Sequence, residues 1–386
     1  MQYTQLFSHL KQCFGTEQKK VKIPNSNIEI QWHPFTATPR FSIPSLANCP
    51  NALSSLPDDK IPENRIFSYP VFVPETRGKL SDPLLLLHGL NERSWEKYLP
   101  WAYRLCESTG RPVVLFPIAF HMNRAPKDWG NPRAMLPVLK QQQSKKFPNA
   151  TFVNIALSER LRNNPLRFFV SGHQSACDIE HLCAAIRDGK HPLFRKGSRI
   201  DFFSYSIGAF LSQILFLANP RGLFSHSRLF MFCGGSVFSR MDGNSRMIMD
   251  SKAFDLLLDY YVFALSPKLQ ESDPFARFLT QTPMGKAFRA MLDDSQLKAY
   301  RETAFRKIGK QMHAIALEQD KVIPAPSIVH TLCSWDPAMK NTVEIRNFPF
   351  PCSHETPFPI GNTQISPLVD QCFEEVFQQA ASFLTP

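Results

Sequence analysis

The 386-residue sequence has no long apolar run. No stretch reaches the ~18 apolar residues that a membrane-spanning helix needs. The N-terminal segment MQYTQLFSHLKQCFG lacks the basic start and the apolar centre of a signal peptide. We therefore predict a protein without a transmembrane segment and with a cytoplasmic location.

The sequence also lacks the cysteine and histidine spacings of metal sites. The nine cysteines form no CxxC pair, and several lie in apolar runs, as Cys233 does in LFMFCGG. His173, His181 and His191 are too widely spaced, and lack partners in register, for a zinc site. We predict reduced cysteines and no metal.

Motifs that bind phosphate groups are missing as well. Neither GxxxxGKS/T nor GxGxxG occurs, so we expect chemistry without a cofactor. The formal net charge of +11 would suit a nucleic acid, but the lysines form only short groups, as in residues 19–22. No nucleic-acid motif accompanies these groups. A solvated basic surface and a small-molecule substrate are the simpler interpretation.

From residue 66 onward, short apolar runs alternate with segments of helical period. This alternation predicts an α/β fold with a mostly parallel sheet flanked by helices. Several runs are unbroken, as is typical of strands that helices cover on both faces. The predicted strands are residues 67–73, 84–87, 113–116, 200–204, 229–232, 313–317 and 342–346.

The remaining segments predict the domain organisation. Residues 1–65 indicate an irregular N-terminal extension that packs on the core, with one strand at 28–32. Residues 66–235 and 310–386 form the predicted core. Residues 236–309 contain no strong strand, and we interpret them as a helical cap inserted after the sixth core strand. The predicted helices are residues 174–188, 253–265, 284–307 and 367–384.

The segment DFFSYSIGAF, residues 201–210, is the strongest indication of function. An apolar strand leads into a small-x-Ser-x-Gly turn and then a helix, a tight connection that presents a serine above a sheet. Ser204 takes the first position of the turn, where glycine is usual, and Gly208 takes the last. The pattern predicts Ser206 as a nucleophile.

A serine nucleophile needs a base to accept its proton and an acid to orient that base. Asp320 follows a predicted strand in a loop that Val322 and Pro324 can fix, and Glu318 is the alternative acid. His354 follows the last predicted strand, in the proline-rich segment FPFPCSHETPFP. The chain order Ser, Asp, His suits this kind of site. We predict Asp320 as the acid and His354 as the base.

The same chemistry needs two N–H donors for the oxyanion. Gly89 allows a sharp turn directly after a buried strand, and we predict the main-chain N–H of Leu90 as one donor. The second is the N–H of Ile207, at the N-terminus of the helix that follows Ser206. His88 either contacts the substrate or packs as a structural histidine beneath the turn.

For two further groups of side chains, the sequence allows two interpretations each. His121 and Arg124, in the loop after the strand at 113–116, either contact a substrate carboxylate or phosphate or brace their own loop. Aromatic residues of the predicted cap either line an apolar acyl pocket or only pack the cap. These aromatic residues are Tyr260, Tyr261 and Phe263.

The motifs HG at 88–89, SxSxG at 204–208, DxxxP at 320–324 and His354 together resemble the α/β-hydrolase superfamily. The segments FHMNRAPKDW and LSERLRNNPLRFFVSGHQSACDIEHL look like an uncharacterised bacterial group within it. The resemblance implies a sheet-and-cap architecture. It implies no substrate, because the fold carries many chemistries.

The resemblance covers about residues 66–235 and 310–386, and it implies the catalytic roles of Ser206, Asp320 and His354. We therefore predict a cofactor-independent serine hydrolase that cleaves a carboxylic ester or thioester through an acyl-enzyme. An amidase, a lipase-like hydrolase and a non-catalytic binding protein on the same fold are the alternatives.

Overall fold

The strands of the described residues form one sheet around which the molecule is built. In chain order they are β1 (Lys20–Lys22), β2 (Ile28–Thr36), β3 (Ile66–Pro74), β4 (Leu84–Leu87), β5 (Val113–Leu115), β6 (Asp201–Tyr205), β7 (Leu229–Phe232), β8 (Met312–Leu317) and β9 (Val343–Arg346). The computed structural model describes residues 1–15, 19–38, 53, 56–76, 78–144, 149–265 and 274–385.

The order of these strands within the described part of the chain is β1-β2-β3-β5-β4-β6-β7-β8-β9. From β5 through β4 to β9 all neighbours are parallel, whereas β1, β2 and β3 pair in antiparallel fashion. The predicted α/β class with a mostly parallel sheet is therefore confirmed. The carboxyl ends of β4, β6, β7 and β8 meet at one edge, where loops gather functional side chains.

Helices cover both faces of the sheet. They are α1 (Tyr3–Cys13), α2 (Pro62–Arg65), α3 (Leu99–Thr109), α4 (Pro132–Ser144), α5 (Ile155–Asn163), α6 (Leu166–Arg187), α7 (Ile207–Ala218), α8 (Ser251–Leu258), α9 (Pro274–Gln281), α10 (Pro283–Leu292), α11 (Lys298–Ile308), α12 (Ala325–Leu332) and α13 (Ser366–Leu384). A π-helical stretch, Asp259–Ala264, continues α8.

The strand β4 shows how the two cores form. All four of its leucines are buried, and successive side chains point to opposite faces. Leu85 and Leu87 join the core beneath α6, α7 and α10. Leu84 and Leu86 join the core beneath α1, α3 and α13. An unbroken apolar run is therefore buried on both sides, as the sequence predicted.

The predicted strands from residue 66 onward agree with the structure to within one residue at each end. The strand predicted at 28–32 is longer and continues to Thr36. Within the described residues β1 pairs with residues 29–31 of β2, so Pro34 lies beyond the paired part of that edge. The helix predicted at 284–307 is two helices, since Leu297 takes a positive φ of +50° between them.

The N-terminal segment is more regular than predicted. Its helix α1 buries Tyr3, Leu6 and Leu10 against α3 and α13. The main-chain N–H of Thr4 donates to Asp370 of α13 at 2.8 Å. The strand β1 was not predicted either, and it pairs with β2 at the outer edge of the sheet.

Two findings concern the cysteines and membrane insertion. Eight cysteines within the described residues are free, and Cys49 lies outside those residues. Among the helices of the described ranges, none is long and apolar enough to cross a bilayer.

A buried charge cluster fixes the start of β6. The Asp201 carboxylate accepts hydrogen bonds from Arg111 at 2.8 Å and from Arg199 at 2.9 Å. It also accepts the main-chain N–H of Arg228 at 2.7 Å. Arg111 in turn donates to the carbonyl of Leu384 at 2.6 Å. The cluster joins the strand that leads to the small-x-Ser-x-Gly turn to the C-terminal helix.

Replacing Asp201 with asparagine, Asp201→Asn, should lower the free energy of unfolding by roughly 3–5 kcal/mol, because buried Arg111 then lacks its carboxylate. The control is Lys298→Gln, which removes an exposed ion pair with Glu302. Its expected loss is at most ~0.5 kcal/mol. Urea unfolding followed by tryptophan fluorescence measures both. Equal losses in the two variants would contradict the importance of the buried cluster.

Candidate active site

The small-x-Ser-x-Gly turn lies between β6 and α7. Ser206 has φ +56° and ψ −123°, a strained conformation that residues other than glycine rarely adopt. A methyl group on Gly208 would lie 2.8 Å from the carbonyl oxygen of Leu87 and 2.9 Å from that of His88. The turn therefore needs its glycine, because two main-chain carbonyls pass directly against it.

A second glycine and a pair of serines complete the turn. A methyl group on Gly234, after β7, would lie 2.6 Å from Cβ of Ala209 and 3.1 Å from the carbonyl oxygen of Ser206. The hydroxyls of Ser204 and Ser212 are 2.6 Å apart, and Ser212 donates to a main-chain carbonyl. Ser204 therefore donates to Ser212. The extra hydroxyl at the usual glycine position is satisfied inside the fold.

Asp320 lies in the loop directly after β8 and is buried. Its Oδ1 accepts the main-chain N–H groups of Val322 and Ile323, each at 2.9 Å. Its Oδ2 is 2.7 Å from Nδ1 of His354. Glu318, the alternative acid, is exposed. Three donors thus hold the Asp320 carboxylate in one orientation.

His354 lies within hydrogen-bond distance of both Ser206 and Asp320. Its Nε2 is 2.7 Å from Oγ of Ser206, on the ring edge opposite Asp320. The hydroxyl of Tyr205 donates to the His354 carbonyl, and the two rings stack with centroids 5.4 Å apart. The structure therefore brings Ser206, His354 and Asp320 together within hydrogen-bond reach. Tyr205 supports the histidine from the strand itself, a contact that the motif does not signal.

Both predicted oxyanion donors line one cavity beside the turn. Leu90 follows β4, and Ile207 is the first residue of α7. Within the described ranges, neither main-chain N–H donates a hydrogen bond. The N–H of Gly89 donates to the Tyr98 hydroxyl and that of Asn91 to His121, both at 2.9 Å. The N–H of Leu90 is therefore left unused between two occupied neighbours.

The contacts of His88 favour the second of its two interpretations, a structural histidine. Its side chain is fully buried. Its Nε2 accepts the N–H of Ile118 at 2.9 Å, and its Nδ1 is 2.8 Å from the carbonyl oxygen of Gly89. Burial holds the pKa of His88 well below its usual range. The ring is neutral and has no nitrogen left for a ligand.

His121 lines the cavity, but both of its nitrogens bind the main chain. Its Nε2 accepts the N–H of Asn91, and its Nδ1 donates to the carbonyl of Ala119 at 2.9 Å. Burial lowers the pKa of His121 to about 3. The neutral ring therefore fixes the loop that carries Leu90, and it offers a ligand only its apolar face.

Arg124 also braces the protein instead of contacting a substrate. It is fully buried and lines neither cavity. Its Nη2 forms a 2.8 Å ion pair with Asp178 of α6, and its Nε donates to the side chain of Asn64. The guanidinium also stacks on Phe67 at 4.2 Å. These contacts favour the second interpretation of Arg124, a side chain that braces its own loop.

A mostly apolar cavity of about 90 Å³ adjoins the turn. Its walls come largely from α5, α6 and α7, with Met284 and Phe288 from α10. The segment between β5 and β6, which contains α5 and α6, thus contributes more residues to this cavity wall than the predicted cap does. Tyr260, Tyr261 and Phe263 do not line it. Packing of the cap, the second interpretation of these aromatic residues, is the one that the structure supports.

Asn91 and Arg93 follow the HG turn and match no motif, yet both line the cavity. The Asn91 side-chain nitrogen donates to the carbonyls of Val153 at 3.0 Å and Met247 at 2.7 Å. Its oxygen accepts from Arg93 at 3.2 Å. Their position in LNER, just past the carboxyl end of β4, is the signal that could have identified them.

The histidines considered for a metal lie apart from one another. His191 is 2.8 Å from the Tyr69 hydroxyl, whereas His173 lies in the cavity wall and His181 packs edge-on against Phe35. No group of three or more His, Cys, Asp or Glu side chains within the described residues could hold a metal ion.

The strand order, the helices on both faces and the strained turn at Ser206 define an α/β-hydrolase fold. The chain belongs to the family of unknown function DUF6051, whose model matches residues 1–385. Among curated proteins, none matches this sequence.

Several solved structures of esterases are similar to this chain at low sequence identity. Carboxyl esterase 2 of the mycorrhizal fungus Tuber melanosporum is 10% identical over 94% of this chain and 89% of its own, with a TM-score of 0.49. A thermostable esterase from Pseudomonas putida ECU1011 is 12% identical over 95% and 86%, with a TM-score of 0.44. A cold-adapted esterase from an Arctic intertidal metagenomic library is 8% identical over 92% and 94%, with a TM-score of 0.38. These likenesses concern the fold alone.

The neutral His121 ring predicts a pH-dependent stability. The unfolded chain binds a proton below the ordinary value of 6.5, which the folded chain does not bind until about pH 3. Stability should therefore fall as the pH drops from 6.5, by up to about 1.4 kcal/mol per pH unit for this residue. In His121→Gln, whose amide oxygen can still accept the N–H of Asn91, the slope should be smaller.

Urea unfolding at pH 7, 6 and 5 measures these slopes. The control is His226→Gln, because His226 is exposed and its replacement should leave the slope as it is. The same slope in His121→Gln as in the unchanged protein would contradict the buried neutral ring.

Proposed function

We propose that this protein is a cofactor-independent serine hydrolase that cleaves a carboxylic ester or thioester through an acyl-enzyme. One observation carries the proposal. The His354 ring is 2.7 Å from Ser206 Oγ at one nitrogen and 2.7 Å from Asp320 at the other. A serine, a histidine and a carboxylate in this arrangement are the parts of a nucleophile-base-acid relay.

In the first half-reaction, Ser206 Oγ attacks the substrate carbonyl while His354 Nε2 takes its proton. The Asp320 carboxylate accepts Nδ1–H of His354, which holds the required tautomer and stabilises the imidazolium. The main-chain N–H groups of Leu90 and Ile207 bind the developing oxyanion, and α7 adds the positive end of its dipole. His354 then protonates the leaving alcohol or thiol, and the acyl group stays on Ser206.

In the second half-reaction, water replaces the leaving group. His354 takes a proton from the water as its oxygen attacks the acyl carbonyl. The same two N–H groups bind the second oxyanion. Collapse of this intermediate returns the proton to Ser206 Oγ and releases the carboxylic acid, so atoms and protons balance over the cycle.

Residues 236–309 are proposed to act as the cap over this site. The bonds from Asn91 to Val153 and Met247 support a cover made of two parts. One part is the segment before β6, and the other is the segment after β7. An amidase or lipase-like activity, or ligand binding without turnover, remains the alternative within this fold.

A fluorophosphonate probe should label Ser206, and Ser206→Ala should abolish the adduct, because the probe reacts with an activated serine hydroxyl. Asp320→Asn keeps an oxygen for Val322 and Ile323 but should lower kcat roughly 10⁴-fold, since it favours the wrong histidine tautomer. Intact-mass spectrometry and ester hydrolysis measure the two effects.

The matched control is Glu318→Gln, the exposed alternative acid, which should leave kcat within about twofold. An adduct that survives Ser206→Ala, or no adduct on the folded protein, would count against the proposal. A large loss in Glu318→Gln would reassign the acid.

The cavity size predicts a preference for short acyl chains. A dry cavity of ~150 Å³ holds benzene, so about 90 Å³ accommodates about four carbons. Phe288→Ala removes a ring from the wall, and activity should extend to longer chains. Rates on p-nitrophenyl esters from acetyl to decanoyl measure the shift.

Two further variants test whether the change in chain-length preference comes from the cavity wall. Phe288→Leu should give a smaller shift with less loss of stability. Phe263→Ala is the control, because Phe263 is 69% exposed and lies outside the cavity wall. If long chains are preferred from the start, the lipase-like alternative is favoured.

A further inference from the structure

Arg93 is a largely buried arginine for which the described residues provide no counter-ion. Its Nε and Nη1 atoms are buried and donate no hydrogen bond within the described residues. Its Nη2 donates only to the neutral side chain of Asn91. Burying an unpaired charge is unfavourable, so such groups usually have a partner. The missing partner is the feature that needs an explanation.

The neighbouring charges do not supply that partner. Arg160 binds both oxygens of Asp58, at 2.9 Å and 3.2 Å, and Arg167 shares the same carboxylate at 3.1 Å. Glu92 accepts from Lys97 and from a tyrosine hydroxyl. Burial and the charge of Arg160 lower the pKa of Arg93 to about 10, so it remains a cation at neutral pH. The cavity wall thus carries excess positive charge.

Arg93 lies on a wall shared by the two cavities beside the proposed nucleophile. The first is the apolar cavity of about 90 Å³, which Ile207 also lines. The second is a groove of about 470 Å³, lined by Glu355 next to His354. Leu90, the proposed oxyanion donor, borders both. A ligand with its carbonyl between Leu90 and Ile207 therefore comes close to Arg93.

We propose that Arg93 binds a carboxylate of the substrate, so that the ester or thioester cleaved at Ser206 is an anionic one. The inference rests on the proposed function and narrows its substrate class. Guanidinium N–H groups form short, charge-assisted hydrogen bonds with a carboxylate. The carboxylate belongs either to the acyl part or to the leaving alcohol, and both place it near the scissile carbonyl.

Glu355 is the residue that competes with this interpretation. Its Oε1 accepts the Ser245 hydroxyl, and it pairs with no cation within the described residues. If Arg93 serves a substrate, Glu355→Gln should keep or raise the preference for an anionic ester, because it removes a like charge. If Arg93 instead only offsets the charge of Glu355, the unchanged protein should show no preference for the anionic ester and Glu355→Gln should create one, which would overturn the proposal.

The test compares esters that differ only in charge. Monoethyl succinate and its neutral isostere ethyl succinamate carry the group on the acyl side. Acetoxyacetate and 2-acetoxyacetamide carry it on the alcohol side. The unchanged protein should prefer the anionic member of at least one pair in kcat/KM. Arg93→Gln should lower that preference roughly 10- to 100-fold, and Arg93→Lys should lower it less.

The matched control is Arg289→Gln. Arg289 also has a buried Nε without a hydrogen-bond partner in the described residues, but it lies outside both cavities. Its replacement should keep the preference of the unchanged protein. No preference in the unchanged protein, or an equal preference in Arg93→Gln, would overturn the proposal.

A binding measurement separates this inference from the proposed reaction. Calorimetry on Ser206→Ala, with both pairs of compounds as ligands, needs no turnover. Tighter binding of the anionic member of at least one pair, lost in the double variant with Arg93→Gln, supports the carboxylate site even if no ester is hydrolysed. Equal binding within both pairs, or a difference that Arg93→Gln leaves unchanged, contradicts it.

Discussion

The close approach of Gly208 to the main chain after β4 is the constraint on which the rest of the site depends. Two carbonyls pass less than 3 Å from where a side chain would begin, so β4, β6 and α7 lie in one fixed relation. That relation holds Ser206 in a strained conformation and brings the start of α7 against the loop that contains Leu90. Gly234, after β7, packs as closely against α7, because a methyl group on it would lie 2.6 Å from Cβ of Ala209.

Buried neutral histidines turn this framework into a rigid one. His88 and His121 each bind the main chain with both nitrogens, and together they fix the loop from Gly89 to Asn91. Each ring must remain unprotonated, because one nitrogen accepts an N–H. His88 and His121 thus hold the main chain in place. His354, in contrast, contacts a serine hydroxyl and a carboxylate.

Much of this arrangement could be predicted from sequence, since it rests on local pattern. Several strands appear as unbroken apolar runs, and the turn at Ser206 is indicated by the strand before it together with the later Asp320 and His354 in the expected chain order. The choice between the two interpretations of His88 and of Arg124 could not be made from sequence, because their partners Ile118 and Asp178 are brought to them only by folding. A buried arginine and a ligand-binding arginine look alike in a sequence, and only the pairing of their neighbours separates them.

The side chain of Asn91 gives the site a mechanical property. One amide nitrogen holds a carbonyl from the segment before β6 and another from the segment after β7, and the same residue's N–H is held by His121. These bonds exist together only while both segments rest on the loop after β4. Lifting either segment therefore breaks a bond one residue from Leu90. Through Asn91, the segments that cover the cavity are thus connected to the loop that contains the proposed oxyanion donor Leu90.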